Sequence, residues 1–513
     1  MPTLLFHAEI RTMNPALPRA DAAVVENGCF TFVGAESAAR LWLAGRAFTE
    51  VDADGATVTP GLNDAHLHLS HCATRGRNVP LSGAASREEA AARLRAGLEN
   101  HSGGWLVGEG WNQEAFWDRR LLTREDLDAV SGDVPVIASR VCGHILAANS
   151  RAMEIASVSK PDGIFREDEQ AALYRCMPAA KPEDILSRML ALQEKLFAQG
   201  ITSVQSDDLG PVPEGETARF LRALRDACAS GRMKLRYAEQ ALRESFEGLR
   251  AFLQEDLHRL FAPTFRVSCL KVLADGSLGA RTAYLSGDYA DAPGEKGVAI
   301  YTDEALCALV REAASHGLPT AIHAIGDAAM EQALRAFAQE GKGLRNAVVH
   351  AQLTTAAQVA RCGRLGVHIL AQPIFLDADA PIVRARVGDA LADTSYRWRS
   401  MLSAGANVAF GTDSPVEPFD TMPNLYCAVT RRGRKGAAPY LPDEAFTLDG
   451  ALFAYTAAGA YVTKEEAEKG RIQPGHLADF VVWDRRMDER EPESLLETRA
   501  RETYIGGERV YAR

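Results

Sequence analysis

Near its N-terminal end the sequence contains the stretch Thr59-Pro60-Gly61-Leu62-Asn63-Asp64-Ala65-His66-Leu67-His68. Alternate residues of a β-strand point to the same side, so His66 and His68 present two imidazoles together while Leu67 points away. Imidazole is the commonest protein ligand for zinc and similar metals. A lone His-x-His pair is also found as two structural histidines at a strand end. A metal site therefore requires further ligands elsewhere in the chain.

Short apolar runs alternate with helical stretches through the middle of the chain. Most runs are followed by a loop and then a longer amphipathic stretch, such as residues 303–315 or 328–340. Eight β-then-α units in succession predict a (β/α)8 barrel. A doubly wound sheet is the alternative, but the glycine-rich GxGxxG turn typical of it is absent. The eight runs are residues 57–68, 200–206, 235–240, 265–274, 319–325, 347–351, 367–372 and 408–413.

Metal-binding or ionisable side chains lie at the ends of five of these runs, where barrel enzymes place their catalytic groups. Convergence of such residues from separate strands is what a metal-ligand cluster needs. The residues are His66 and His68 in the first run, Lys271 in the fourth, His323 in the fifth, His350 in the sixth and Asp413 in the eighth.

Lys271 differs from the other five because an ammonium ion repels divalent metals and is costly to bury. A lysine with a lowered pKa can react with carbon dioxide, and the resulting anionic carbamate can bridge two cations. The alternative is a Lys271 that reaches the surface or pairs with Asp275.

The chain resembles the amidohydrolase superfamily, and within it the branch that includes N-substituted formamide deformylases. The resemblance covers nearly the whole chain, and its motifs are specific and occur in the same order. They are PGLNDAHLHL, GEGWNQEAFW, VCGHILAANS, KVLADGSLGARTA, HAIGDAA, VVHAQL, GTDSPVEP and GRIQPGHLADFVVWD. One departure is visible: Val349 stands where the family often has a glutamate before the sixth-strand histidine. This puts a contact to His350 in doubt.

The resemblance implies an α/β protein with a distorted (β/α)8 TIM barrel and a small β-sandwich domain formed by both chain ends. Short strand-like runs at both termini are consistent with such a sandwich. An α/β insertion, at about residues 77–185, follows barrel strand 1 and is expected to wall or cap the site. The expected domains are residues 1–58 (sandwich), 59–420 (barrel), 421–470 (C-terminal helices of the barrel) and 471–513 (sandwich).

The resemblance also implies one or two divalent metal ions, of which zinc is the expected one. By this correspondence His66, His68 and Asp413 hold the more buried ion, and His323 and His350 hold the second. Carbamylated Lys271 bridges the two ions. A metal-bound hydroxide would attack the substrate, with Asp413 as general base and then acid.

Four further residues are predicted to contact the substrate. His144 and Trp111 lie in the insertion, although a loop histidine is often structural and a lid aromatic often packs inside. Asp275 and Arg281 follow the Lys271 strand, and we expect them to contact the substrate or to support the site.

These features predict an amidohydrolase that acts on carbon–nitrogen bonds other than peptide bonds. A deaminase of a small ring substrate is one alternative, but such enzymes place a glutamate three residues after the fifth-strand histidine, where this chain has Gly326. A non-catalytic metal-binding barrel is the other.

Composition and charge indicate which kinds of partner and which cellular compartment to expect. The net charge of −11 argues against a nucleic-acid surface, and no apolar run or signal peptide indicates a membrane or secretion. The nine cysteines show no disulfide or zinc-finger spacing. We therefore expect a cytoplasmic protein with a small-molecule substrate, and a homodimer is plausible because many barrels associate.

Overall fold

The computed structural model describes residues 1–75, 78–99, 103–140, 145–178, 181–433 and 438–513. Its central feature is a parallel sheet of eight strands, in which each strand pairs with the next one along the chain. The strands are β1 (Leu62–Leu67), β2 (Ile201–Ser206), β3 (Arg236–Leu242), β4 (Phe265–Leu273), β5 (Thr320–Ala324), β6 (Ala347–His350), β7 (His368–Ala371) and β8 (Asn407–Phe410). The barrel and its eight strands confirm the predicted fold class.

The sheet nearly closes on itself where β8 meets β1. At the ends of the two strands, the Asp413 amide donates to the His66 carbonyl at 2.8 Å, and the His68 amide donates to the Ser414 carbonyl at 2.8 Å. The buried Asp64 carboxylate of β1 also accepts from the Thr412 hydroxyl at 2.6 Å. These bonds place the ends of the first and last strands side by side.

Amphipathic helices lie between the strands, as the alternating pattern predicts. The helix Thr217–Ala229, for example, buries Phe220, Leu221 and Leu224 on one face. Several helices begin at a threonine whose hydroxyl accepts from a backbone amide, as Thr302 does from Ala305. The barrel helices are Pro182–Phe197 before β2, Thr217–Ala229, Phe246–Gln254, Asp303–Ser315, Asp327–Glu340, Ala356–Leu365, Leu376–Asp379, Val383–Ala392, Trp398–Ser403, Thr421–Thr430, Leu448–Ala454 and Ala457–Val462.

The two chain ends build one β module from two sheets. One sheet has the strand order Cys29–Gly34, Ala22–Glu26, Thr3–Phe6 and Thr49–Asp52. The other has the order Glu508–Ala512, Ala500–Ile505, Phe480–Trp483, Thr57–Pro60, Glu9–Arg11 and Arg19–Ala20. They share a core in which Leu5 and Val25 pack with Phe480 and Tyr504. This confirms a sandwich formed by both termini.

The first apolar run is two strands, not the single strand that the sequence predicts. Thr57–Pro60 belongs to the terminal sheet, whereas Leu62–Leu67 belongs to the barrel. Gly61 lies between them, where a β-carbon would come within 2.2 Å of the Thr202 hydroxyl oxygen of β2. Only glycine fits this close passage from the sandwich into the barrel.

By its internal contacts the chain divides into two compact units, residues 1–71 with 182–513 and residues 72–181. The second unit contains a sheet with the strand order Ile164–Arg166, Ile145–Ala148, Val136–Arg140, Leu106–Trp111 and Val79–Pro80. Its longest helix is Arg87–Glu99, which buries Ala90, Ala91 and Leu94. In the described part of the chain, no helix is long and apolar enough to cross a membrane.

Candidate metal centre

Two histidines and one aspartate meet where the first and last strands of the barrel end. His66 lies in β1, His68 immediately follows it, and Asp413 lies three residues beyond β8. Asp413 Oδ1 is 3.4 Å from His66 Nε2 and 3.1 Å from His68 Nε2. One ligand atom from each residue lies within 4.8 Å of the other two. The structure therefore brings together three of the side chains that were predicted at strand ends.

The other nitrogen of each ring is occupied, which fixes the ring orientation. His66 Nδ1 lies 2.6 Å from Oε1 of Gln240, and His68 Nδ1 lies 3.1 Å from the main-chain oxygen of Asp207. An oxygen acceptor requires the hydrogen to be on Nδ1. His68 therefore donates from Nε2 to Asp413 only when both of its nitrogens carry a hydrogen. In the neutral form of either ring the lone pair is on Nε2, facing Asp413. This is the arrangement in which histidine binds a metal.

His323 and His350 form a second group, on β5 and β6. His350 Nε2 is 3.0 Å from His323 Nδ1. The outer nitrogens are again occupied, because His350 Nδ1 lies 2.7 Å from Gln372 Oε1 and His323 Nε2 lies 3.0 Å from the Gly276 carbonyl. With both hydrogens on the outer nitrogens, two lone pairs face each other. The ring of His350 lies 5.9 Å from that of His66, so the two groups are neighbours.

Lys271 is buried in β4 beside these groups, with 1% of its surface exposed. Its Nζ is 3.7 Å from Asp207 Oδ2, which is itself 3.7 Å from His68 Nδ1. The alternative prediction, that Lys271 pairs with Asp275, is wrong. The carboxylate nearest to Lys271 in an ion pair is that of Asp207. The other oxygen of Asp207 is buried and has no hydrogen-bond partner among the described residues.

The electrostatics keep most of these ligands in the form that binds metal. Burial, reinforced by neighbouring cationic or imidazole groups, lowers the pKa of His66 and His323 well below its usual value. Burial lowers the pKa of His350 to about 4. For Asp413, burial opposes ionisation, but the bond from His68 and the nearby imidazoles hold its pKa below the usual range. Burial likewise opposes the charged form of His68, yet its bond to Asp413 raises its pKa.

The donor set fits a divalent metal ion. Neutral imidazole nitrogens and a carboxylate oxygen are the ligands of zinc and related ions. Two lone pairs 3.0 Å apart, as in the pair of His323 and His350, repel one another unless a cation or a proton lies between them. His66, His68 and Asp413 would hold one ion, and His323 with His350 would contribute to a second.

Three residues predicted to contact the substrate have other roles in the structure. Trp111 is fully buried in the core of the unit 72–181, and its Nε1 donates to the Ala138 carbonyl at 3.0 Å. Asp275 is also buried and accepts three backbone amides, from Tyr284, Ile325 and Gly326. The Trp111 side chain is inaccessible, which corrects the prediction for that residue. Asp275 Oδ1 also lies 3.4 Å from His323 Nε2, so Asp275 is in a position to support the site, the second of the two roles expected for it.

Arg281 and His144 complete the set of predicted substrate contacts. Arg281 forms a two-pronged ion pair with Asp291, at 3.0 and 2.9 Å. Its guanidinium is thus engaged by a carboxylate of its own loop. His144 lies outside the described residues.

The sequence prediction missed two glutamines that contact the candidate ligands. Gln240 ends the third predicted run and Gln372 ends the seventh, in the positions where other strands carry the candidate ligands. Their position at the ends of these runs is the sequence feature that could have identified them. Gln372 also makes the contact to His350 that the change to Val349 had put in doubt.

Comparison with known proteins agrees with this geometry. The model of the amidohydrolase family matches residues 49–511. The chain belongs to the amidohydrolase family. This confirms the resemblance inferred from the sequence motifs.

Individual relatives of this amidohydrolase align over nearly its whole length. The putative amidohydrolase YtcJ of Bacillus subtilis (strain 168) is 29% identical over 526 residues, spanning 98% of both chains. The N-substituted formamide deformylase of Arthrobacter pascens is 25% identical over 548 residues, spanning 99% of this chain and 98% of that protein. An uncharacterized metal-dependent hydrolase from Pyrococcus furiosus has a TM-score of 0.80 at 29% identity, covering 94% of this chain and 98% of that chain.

Proposed function

We propose that this amidohydrolase hydrolyses a non-peptide C–N bond, of an amide or formamide, in a small molecule. The observation that carries the proposal is the position of Asp413, whose Oδ1 lies 3.1 Å from His68 Nε2 and 3.4 Å from His66 Nε2. A structural metal site uses all its ligands for binding, whereas this carboxylate also provides a general base. The similarity to an N-substituted formamide deformylase supports a formamide or a related amide as substrate.

We propose zinc as the ion, held by His66, His68 and Asp413, with His323 and His350 around a second ion. A bound divalent metal supplies Lewis-acid activation of water and of the substrate carbonyl. In the proposal Lys271 carries a carbamate, which replaces a repelling ammonium with an anion between the two groups.

Asp413 performs the proton transfers in this proposal. Its carboxylate is ionised, and in this proposal it accepts a proton from the attacking water. The same oxygen then returns that proton to the leaving amine. The histidine rings keep their direction during this exchange because their outer nitrogens are hydrogen-bonded.

The structure argues against a ring deaminase of the related type. Such an enzyme needs a glutamate at position 326. A β-carbon on Gly326 would lie 1.9 Å from the Tyr284 carbonyl oxygen. No side chain fits there without moving the backbone.

We also propose a cytoplasmic location. All cysteines that the structure describes are free thiols. Free thiols in this number are typical of a reducing compartment.

The test is a screen of zinc-loaded protein against N-formyl amines, N-acyl amines and amino-substituted rings, with released amine, acid and ammonia measured separately. We expect amine release from an amide or formamide. Asp413→Asn should lower kcat by about 100-fold or more, as loss of a general base does. Exposed Asp389→Asn is the control and should leave kcat unchanged.

Two outcomes would contradict the proposal. Ammonia released from ring substrates, without amide hydrolysis, would favour the deaminase. Protein that retains metal but hydrolyses no substrate in the panel would favour a non-catalytic barrel. Metal content is measured for each variant, so that loss of metal is separated from loss of the base.

A further inference from the structure

Two buried glutamines on opposite sides of the metal centre make the same pair of hydrogen bonds. Gln240 donates its amide nitrogen to the Ala65 carbonyl at 3.1 Å, and Gln372 donates to the Leu370 carbonyl at 2.9 Å. The amide oxygen of each faces a histidine Nδ1, at 2.6 Å for His66 and 2.7 Å for His350. Both glutamines are at most 1% exposed.

The main-chain bond determines which end of each amide faces the histidine. A carbonyl accepts only from the amide nitrogen, so the amide oxygen must point at the ring. That oxygen requires a hydrogen on Nδ1, which leaves the lone pair on Nε2. Reversing the glutamine would break both bonds and leave buried polar groups unpaired, at a cost of about 1–3 kcal/mol for each. The ring therefore has one stable protonation pattern and one direction.

Each glutamine acts on a different group of candidate ligands. Gln240 contacts the histidine that points at Asp413. Gln372 contacts the histidine that faces His323. We infer that Gln240 and Gln372 are positioning residues, one for each of two metal ions, and that each sets the affinity of its own site. This inference rests on the proposed metal dependence.

Gln193 provides a matched control, because it is also a buried glutamine whose amide group is hydrogen-bonded at both ends. Its amide nitrogen donates to the Leu190 and Arg232 carbonyls, at 3.0 and 2.9 Å, and its oxygen accepts from the Lys234 amide at 2.6 Å. Within the described residues its hydrogen-bond partners are main-chain atoms, and none belongs to a candidate ligand. Its replacement should cost stability without affecting metal binding.

The test measures zinc bound per chain, by mass spectrometry and by competition with a chromophoric chelator. The variants are Gln240→Met and Gln372→Met, which keep the side-chain length but remove the acceptor. Each should weaken one zinc site by about 10- to 100-fold and leave the other within about 2-fold. Gln240→Glu and Gln372→Glu keep an acceptor for Nδ1 but lose the bond to the main-chain carbonyl, so each should weaken its site less than the methionine variant does. Circular dichroism checks that each variant folds, and Gln→Asn replaces any methionine variant that does not.

A second set of variants assigns each glutamine to its site. In a His323→Ala background, Gln372→Met should have no further effect on zinc affinity, whereas Gln240→Met should still weaken the remaining ion. Additive effects of both glutamines in that background would overturn the assignment.

The outcomes separate the inference from the proposed function. Two zinc ions in the wild type, with unchanged affinities in both methionine variants, would overturn the inference and leave the hydrolase proposal intact. Equal weakening by Gln193→Met would also overturn it, because the effect would then be a general loss of stability. A wild-type protein that binds no zinc would overturn both.

Discussion

Protonation of His368 is expected to make the stability of the protein depend on pH. His368 begins β7, is 3% exposed, and packs with its ring centroid 5.5 Å from that of Tyr461. Its Nδ1 is buried and has no hydrogen-bond partner in the part of the chain that the structure describes. Burial, assisted by the Arg345 cation and opposed by Glu466, lowers its pKa from 6.5 to about 4. The unfolded chain therefore binds a proton more readily than the folded one.

The size and sign of the effect follow from this shift. Above pH 6.5 the ring is neutral in both states and contributes no pH dependence. As the pH falls from 6.5 to 4 the unfolded state takes up the proton first, so the free energy of unfolding falls. A shift of this size corresponds to a loss of about 3 kcal/mol, at about 1.4 kcal/mol per pKa unit. Below pH 4 this residue adds no further loss.

The assay is urea unfolding of metal-free protein at pH 7, 6, 5 and 4, comparing the wild type with His368→Phe. Phenylalanine keeps the contact with Tyr461 and cannot be protonated, so the variant should lose about 3 kcal/mol less than the wild type between pH 7 and pH 4. His316→Phe, at an exposed histidine, is the control and should follow the wild type. Parallel pH dependence of the wild type and His368→Phe would refute the reasoning.

Three further predictions concern packing, a buried ion pair and metal removal. Gly326→Ala should lower the free energy of unfolding by about 1–3 kcal/mol, measured by urea titration, because its β-carbon meets the Tyr284 carbonyl. Arg236→Met should cost about 3–5 kcal/mol by the same measurement, since it leaves the Asp479 carboxylate buried and unpaired, and the double variant with Asp479→Leu should recover most of that loss. Removal of zinc by a chelator should lower the free energy of unfolding by about 4 kcal/mol for each bound ion, relative to protein in zinc at 1,000 times the Kd of that site, as measured by calorimetry.

The sequence predicted the barrel because its strands and helices repeat in a regular order. Each β-strand is short and apolar, and each following stretch has helical periodicity, so local patterns and global fold agree. The sandwich followed from strand patterns at both termini and from the family resemblance. The split at Gly61 was not predicted, because an unbroken apolar run does not show which sheet each half joins.

The sequence was less informative about what surrounds the site. His66, His68 and Asp413 stand out because their residue types bind metals and lie at strand ends. Gln240 and Gln372 have no such signature, since their role depends on which atom each amide turns toward its neighbour. Trp111 has a residue type suited to substrate binding, yet it lies in a core. Asp275 accepts three backbone amides and lies 3.4 Å from His323, a supporting position that its residue type alone does not distinguish from substrate contact.

The most direct test of the metal centre is an anomalous-difference map from crystals of zinc-loaded protein, measured on both sides of the zinc edge. We expect one anomalous peak bounded by His66, His68 and Asp413 and a second beside His323 and His350. The ordinary electron-density map from the same crystals should show additional density extending from Lys271. Peaks found only elsewhere in the molecule, or no peak at the strand ends, would contradict the account.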